Sequence, residues 1–146
     1  NRGLAYSHPL LRTRGADDWY LMHNGFLPTV YQHLGLDASA FDSSEYLEYI
    51  VDHITPADLN QRYLQEKMAQ LAPGGSSGNA FFITREHAWA WQWHPEDTLF
   101  PDYFTLHHLQ TSEAKYISSE MIPELGTASD WRRMSNHEFH SFTFAE

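Results

Sequence analysis

The stretch Asp18-Trp19-Tyr20-Leu21-Met22-His23-Asn24-Gly25 decides how this chain reads. Residues 18–22 read as a short strand, rich in aromatic and aliphatic side chains. Asn24-Gly25 then predicts a turn, because both residues tolerate positive φ. The turn brings a side-chain amide (Asn24) next to a backbone N–H with no Cβ beside it (Gly25). Two such donors can serve one developing oxyanion, although a plain structural turn accounts for the same dipeptide.

Downstream, Pro28–Leu34 predicts a short helix. Asp42 and Glu45 have the spacing of a capping box, and Leu47, Ile50, Val51 and Ile54 form one apolar stripe, which predicts a helix opening at Asp42. Thr55-Pro56, with Asp58 in its first turn, predicts a second helix that buries Leu64, Met68 and Leu71. That helix stops at Pro73-Gly74-Gly75-Ser76-Ser77-Gly78, which reads as a flexible loop.

The remainder reads as strands: 79–84, 88–94 (with Trp89, Trp91 and Trp93 alternating), 103–110, 115–120, 131–134 and 138–144. Thr111-Ser112-Glu113-Ala114 predicts one hairpin turn, and Ser135-Asn136-His137 predicts a second that closes a final hairpin. Short hairpins imply antiparallel pairing. Helices grouped together and followed by strands imply an α+β fold in one domain spanning 1–146, without internal repeat or linker.

Composition narrows the function. Lys and Arg number 9 against 19 Asp and Glu, a net charge of −10, so the chain repels phosphate backbones and is not expected to bind nucleic acid. No apolar run approaches the roughly 20 residues of a membrane span, so no membrane partner is expected. With 42% apolar and 15% aromatic residues, disorder is excluded. Cysteine is absent, which rules out disulfides, thiolate metal sites and a cysteine nucleophile within these residues, and is compatible with the cytoplasm.

The wider pattern carries a resemblance. Asn1-Arg2-Gly3, His8-Pro9-Leu10, the Trp19–Gly25 segment and Asp42-Ser43-Ser44-Glu45 ahead of an apolar helix resemble class II (N-terminal-nucleophile) glutamine amidotransferases, especially small stand-alone ones. Tyr116-Ile117-Ser118-Ser119-Glu120 is similar to a late strand of that family, and Trp131 to Phe144 to its end.

The resemblance implies an αββα sandwich of two antiparallel sheets, of which this chain is the C-terminal two-thirds, with the first strands and the nucleophilic cysteine upstream of Asn1. It implies hydrolysis of the side-chain amide of glutamine, or of a related γ-glutamyl amide, through a cysteine thioester, and release of ammonia to a synthase partner, without a cofactor. Asn24 and Gly25 would form the oxyanion hole. Asn1, Arg2, Gly3 and His23 would border the substrate. The family's substrate-binding aspartate falls on Ser43, with an acidic residue one place earlier, at Asp42. Asp42 therefore reads equally well as a ligand of the substrate ammonium or as a helix cap. A non-catalytic relative that binds a metabolite or a protein is the alternative.

Other candidates are weaker. His107-His108 would face opposite sides of a strand, His94, Glu96 and Asp97 follow a proline turn, and no metal-binding helix motif is present, so no metal site is expected. The Trp89/Trp91/Trp93 ladder reads as core in preference to a ligand platform. Glu113, Glu120 and Glu124 do not pair as glycosidase carboxylates, and Ser118-Ser119 lack nucleophile-elbow glycines.

Overall fold

The computed structural model describes residue 3 and residues 6–71 and 75–144. Strand β1 (Leu10–Arg14) and strand β2 (Asp17–Asn24) are followed by a 3₁₀ turn at Val30–Leu34 and helix α1 (Asp42–Val51). Helix α2 (Gln61–Ala69) leads to strands β3 (Asn79–Ile83) and β4 (His87–Trp91). A short helix α3 (Pro101–Phe104) precedes β5 (His107–Gln110), β6 (Lys115–Ser118), β7 (Arg132–Arg133) and β8 (Phe139–Thr143). The fold is α+β with two antiparallel sheets, one ordered β1-β2-β3-β4-β8 and the other β6-β5-β7.

The expected strand forms as β2, and its side chains alternate in packing: Trp19, Leu21 and His23 are buried, while Met22 and Asn24 are exposed. On the buried face, Leu21 lies opposite Phe82, and Phe82 opposite Trp89. Trp19 stacks on Trp89 at 5.6 Å. Helices α1 and α2 cover this face with Tyr46, Leu47, Ile50, Val51, Leu64 and Met68, all in one cluster with Trp91 and Trp93. Each fully buried side chain of this size contributes about 1.5–3 kcal/mol, which makes this face the main source of stability. The tryptophan ladder is thus core, although β4 stops at Trp91 and Trp93 is buried just beyond it.

The other face is unevenly covered. At the β4–β8 end, the ring of His140 lies 5.0 Å from that of His108 in the small sheet. Phe104, Leu106, Leu109, Trp131 and Met134 are buried outside the main cluster. Two buried amides tie the layers together. The Asn79 side chain donates to the carbonyl of Phe104, and Gln92 Oε1 accepts the Leu106 N–H at 2.6 Å. At the opposite end, Leu11 and Met22 remain exposed.

Five local expectations are corrected. The final segments do not form a hairpin, because β7 pairs with β5 and β8 with β4, in different sheets. The His137 N–H bonds to Gln92 O and the Asn136 side chain bonds to the backbone of His94, so the intervening turn is spent on crossing between layers. The helix expected from Thr55 is two pieces. The Thr55/Asp58 capping box closes only a 3₁₀ turn at Pro56–Asp58, and Asn60 caps α2 by accepting the Tyr63 N–H at 3.0 Å. Ile54 lies past the end of α1, packed against the core from a loop. The strand expected at 103–110 begins as helix α3, where Pro101 occupies a first-turn position. Finally, within the predicted flexible loop, Ser77 is fully buried, with its hydroxyl donating to Trp93 O and accepting from Asn79 N.

Candidate active site

The site grows from the end of β2. Asn24 is still in the strand, paired with Asn79, so the expected turn begins one residue later than the Asn-Gly dipeptide suggests. Sheet pairing outcompetes the local turn preference here. At Gly25, φ is +154°, and a Cβ would sit 2.0 Å from the carbonyl oxygen of Ser77. Glycine is therefore required for the chain to pass this close to Ser77.

Alternation separates the two neighbours. His23 points into the core, where Nδ1 lies 2.9 Å from Ser43 Oγ and Nε2 lies 3.0 Å from Ser77 O. A carbonyl only accepts, so Nε2 carries the proton and Nδ1 accepts from the Ser43 hydroxyl. Burial lowers the His23 pKa, outweighing the opposing effects of the Ser77 carbonyl and of Asp42, so the ring is held neutral. Ser43, which stands where the family places an aspartate, is thereby committed to His23.

Asn24 points the other way. Its side chain is exposed and has no hydrogen-bond partner among the described residues. With His23, it borders a cavity of about 260 Å³ together with His8, Met22, Asn79, Phe81, Leu106 and Ser119. Asn79 is structural, since Oδ1 accepts the Trp93 N–H at 2.9 Å while its amide holds Phe104 O.

Asp42 is not the helix cap. Phe41 occupies that position, and Asp42 lies in the first turn of α1. Its Oδ2 accepts the Leu27 N–H at 2.9 Å, which fastens the segment after Gly25 to the helix start. Capping falls to Glu45, whose Oε1 accepts the N–H groups of Ala40 and Phe41 at 2.7 and 3.1 Å. Among the residues lining the cavity, Asp42 and Gly25 do not appear. Gly3 is exposed with φ +158°, and Asn1 and Arg2 lie outside the described residues.

Sequence reading missed His8 and Ser119 as site residues. Both sit in segments that carry the family resemblance, but their convergence depends on the stacking of the two sheets, which no local pattern encodes. A different hollow, about 560 Å³ between β1 and the start of α1, is bordered by Tyr6, Leu11, Phe41 and Glu48 and contains none of the expected site residues.

The overall fold resembles that of solved structures. A predicted glutamine amidotransferase from Pseudomonas aeruginosa superimposes over 99% of this chain and 66% of its own, with a TM-score of 0.58 and 15% identity. The glutamine phosphoribosylpyrophosphate amidotransferase of B. subtilis, complexed with ADP and GMP, matches over 80% of this chain and 25% of its own, with a TM-score of 0.55 and 18% identity. A structure described as the allosteric regulatory enzyme of purine biosynthesis matches over 79% of this chain and 24% of its own at 0.51 and 17%. This chain thus spans about two-thirds of the first neighbour and a quarter of the other two. No family model matches it, and no curated protein matches it by sequence. The likeness is one of fold: an α+β arrangement with two antiparallel sheets, similar to that of these amidotransferase structures. No helix among the described residues is long and apolar enough to cross a membrane.

Proposed function

We propose that residues 1–146 belong to a class II glutamine amidotransferase-type domain that hydrolyses the side-chain amide of glutamine or a related γ-glutamyl compound. The observation that carries the reading is Asn24, a side-chain amide with no partner among the described residues, at the rim of a cavity on a fold shared with amidotransferases. In this reading a cysteine thiolate, supplied from outside these residues, attacks the amide carbon. The carbonyl oxygen becomes an oxyanion that accepts N–H bonds from Asn24 and the backbone of Gly25. The C–N bond then breaks, the leaving nitrogen takes a proton and departs as ammonia, and water hydrolyses the thioester to glutamate and free thiol. Asp42 Oδ1, which has no donor among the described residues, offers charge to a substrate ammonium. The resemblance also assigns Asn1, Arg2 and Gly3 to the substrate side. Ammonia would pass to a separate synthase.

The test is covalent labelling of the full-length protein with a diazo-ketone analogue of glutamine. One label per chain, on a cysteine outside 1–146, is the expected result. Labelling within 1–146 would overturn the reading. Reversible glutamine binding without labelling or turnover would favour a non-catalytic binding module, the reading that the absence of cysteine in these residues supports.

A further inference from the structure

The two sheets meet at a cluster of side chains that the proposed amide chemistry does not use. His108 on β5, Glu138 just before β8, and His140 on β8 each place one ligand atom within 4.8 Å of the others. His140 Nε2 lies 2.7 Å from Glu138 Oε1. His108 Nε2 is buried and has no hydrogen-bond partner among the described residues. A buried ring nitrogen without a partner costs stability unless something fills the gap. We propose that His108, Glu138 and His140 bind a divalent cation of the zinc type, which clasps the small sheet to the last strand of the large one.

The ligand set has the right chemistry, since two imidazoles and a carboxylate suit Zn²⁺ and leave a fourth position for water. Tetrahedral coordination at ordinary bond lengths puts ligand atoms about 3.4 Å apart, so the His140–Glu138 pair must open from 2.7 Å while the wider separations, all within 4.8 Å, close. The cation takes the place of the proton now shared between His140 and Glu138. The His140 proton moves to Nδ1, and the freed Nε2 binds the metal.

The surrounding charges are mixed. Arg132, paired across the strands with His108, donates to both Glu138 oxygens, and the Ser135 N–H donates to Oε2 at 2.8 Å. These contacts orient the carboxylate and leave Oε1 for the metal once Arg132 bonds only to Oε2. Burial works to raise the Glu138 carboxyl, but Arg132, the Ser135 N–H and His140 outweigh it and hold it at about 2, so it is ionised. Burial first, then the charges of Arg132, His140 and Lys115, lowers the His108 pKa. The charges of Arg132 and Lys115 oppose a metal, so the expected affinity is weaker than that of a closed structural site.

The test is titration of the metal-free, full-length protein with ZnCl₂, followed by calorimetry and thermal melting. We expect one site per chain and a rise in Tm of about 5–10 °C at a hundredfold excess over Kd. His108→Gln and His140→Gln should each weaken binding at least tenfold, with metal-free melting near that of the parent. Crystals soaked in ZnCl₂ should show an anomalous peak between the three side chains, a readout that needs no variant. Absence of saturable binding, retention of the site in the double variant, or an anomalous peak elsewhere would overturn the proposal.

Discussion

His23 and Asn24 are adjacent in sequence and opposite in environment. His23 lies under the helices with both ring nitrogens engaged, one by Ser43 and one by Ser77. Asn24 lies on the far face of the same strand, exposed and without a partner among the described residues. The strand period of two makes the separation. A polar side chain that the core has fully satisfied is holding the structure, whereas one that the fold leaves open at a cavity can act on a ligand. Substitutions at and around the pair test this division.

The largest effect is expected at the residue that lets the two environments meet. Gly25→Ala sets a Cβ against the Ser77 carbonyl at 2.0 Å and at a φ of +154°. Overpacking and backbone strain each cost about 1–3 kcal/mol, so the variant should lose roughly 3–5 kcal/mol in chemical denaturation. A loss under about 1 kcal/mol would show that the Gly25–Ser77 approach does not constrain the native state.

Asn24→Ala should do the reverse, leaving stability within about 1 kcal/mol and cutting glutamine hydrolysis by the full-length protein about 100- to 1000-fold, the usual loss of one oxyanion donor. Unchanged turnover would reduce Asn24 to a strand residue and remove the functional half of the comparison.

His23 breaks the comparison from the other side. His23→Phe keeps the ring volume but strands the Ser43 hydroxyl and the Ser77 carbonyl, at a cost of about 2–3 kcal/mol. The pH dependence follows from its lowered pKa. The unfolded chain takes up a proton near the ordinary histidine value of about 6.5, while the folded ring resists it. The stability contributed by the neutral ring is therefore complete above that pH and is lost as pH falls through the lowered native value. Denaturation midpoints followed downward from pH 7 should fall more steeply for the parent than for His23→Phe. Parallel curves would mean that the ring is not held neutral.

These sites also show where the sequence was readable. The buried alternation of β2, the stripe on α1 and the tryptophans of β4 are local patterns, and local patterns specify the helix-covered face. The second face depends on contacts between distant segments. Gln92 accepts the N–H groups of Leu106 and His137, Asn79 accepts that of Trp93 and donates to the Phe104 carbonyl, and these four partners decide where the chain crosses from one sheet to the other. Asn79 and Gln92 read as ordinary polar residues in a strand, so the final segments looked like a hairpin. Asn24 was legible as a candidate because its chemistry and its likeness to a known turn coincide. His8 and Ser119 were not, because their place at the cavity comes from stacking alone.

The smallest effect concerns Asp42, where structure and charge can be separated by a single atom. Its Oδ2 holds the Leu27 N–H, a role that any acceptor of the same shape can fill. Asparagine is such a shape, so Asp42→Asn keeps the tether, and the melting temperature should move by no more than about 2–4 °C. The charge, however, is gone. If the second carboxylate oxygen meets the ammonium of glutamine, the loss of a charged partner should raise KM about tenfold with kcat little changed, because an interaction equal in ground and transition states acts on binding alone. Asp42→Ser would confuse the two roles, since its shorter side chain loses both tether and charge. Steady-state kinetics of the full-length Asp42→Asn protein therefore separates them. A raised KM at unchanged Tm places Asp42 with Asn24 on the functional side of the comparison, and an unaltered KM places it with His23.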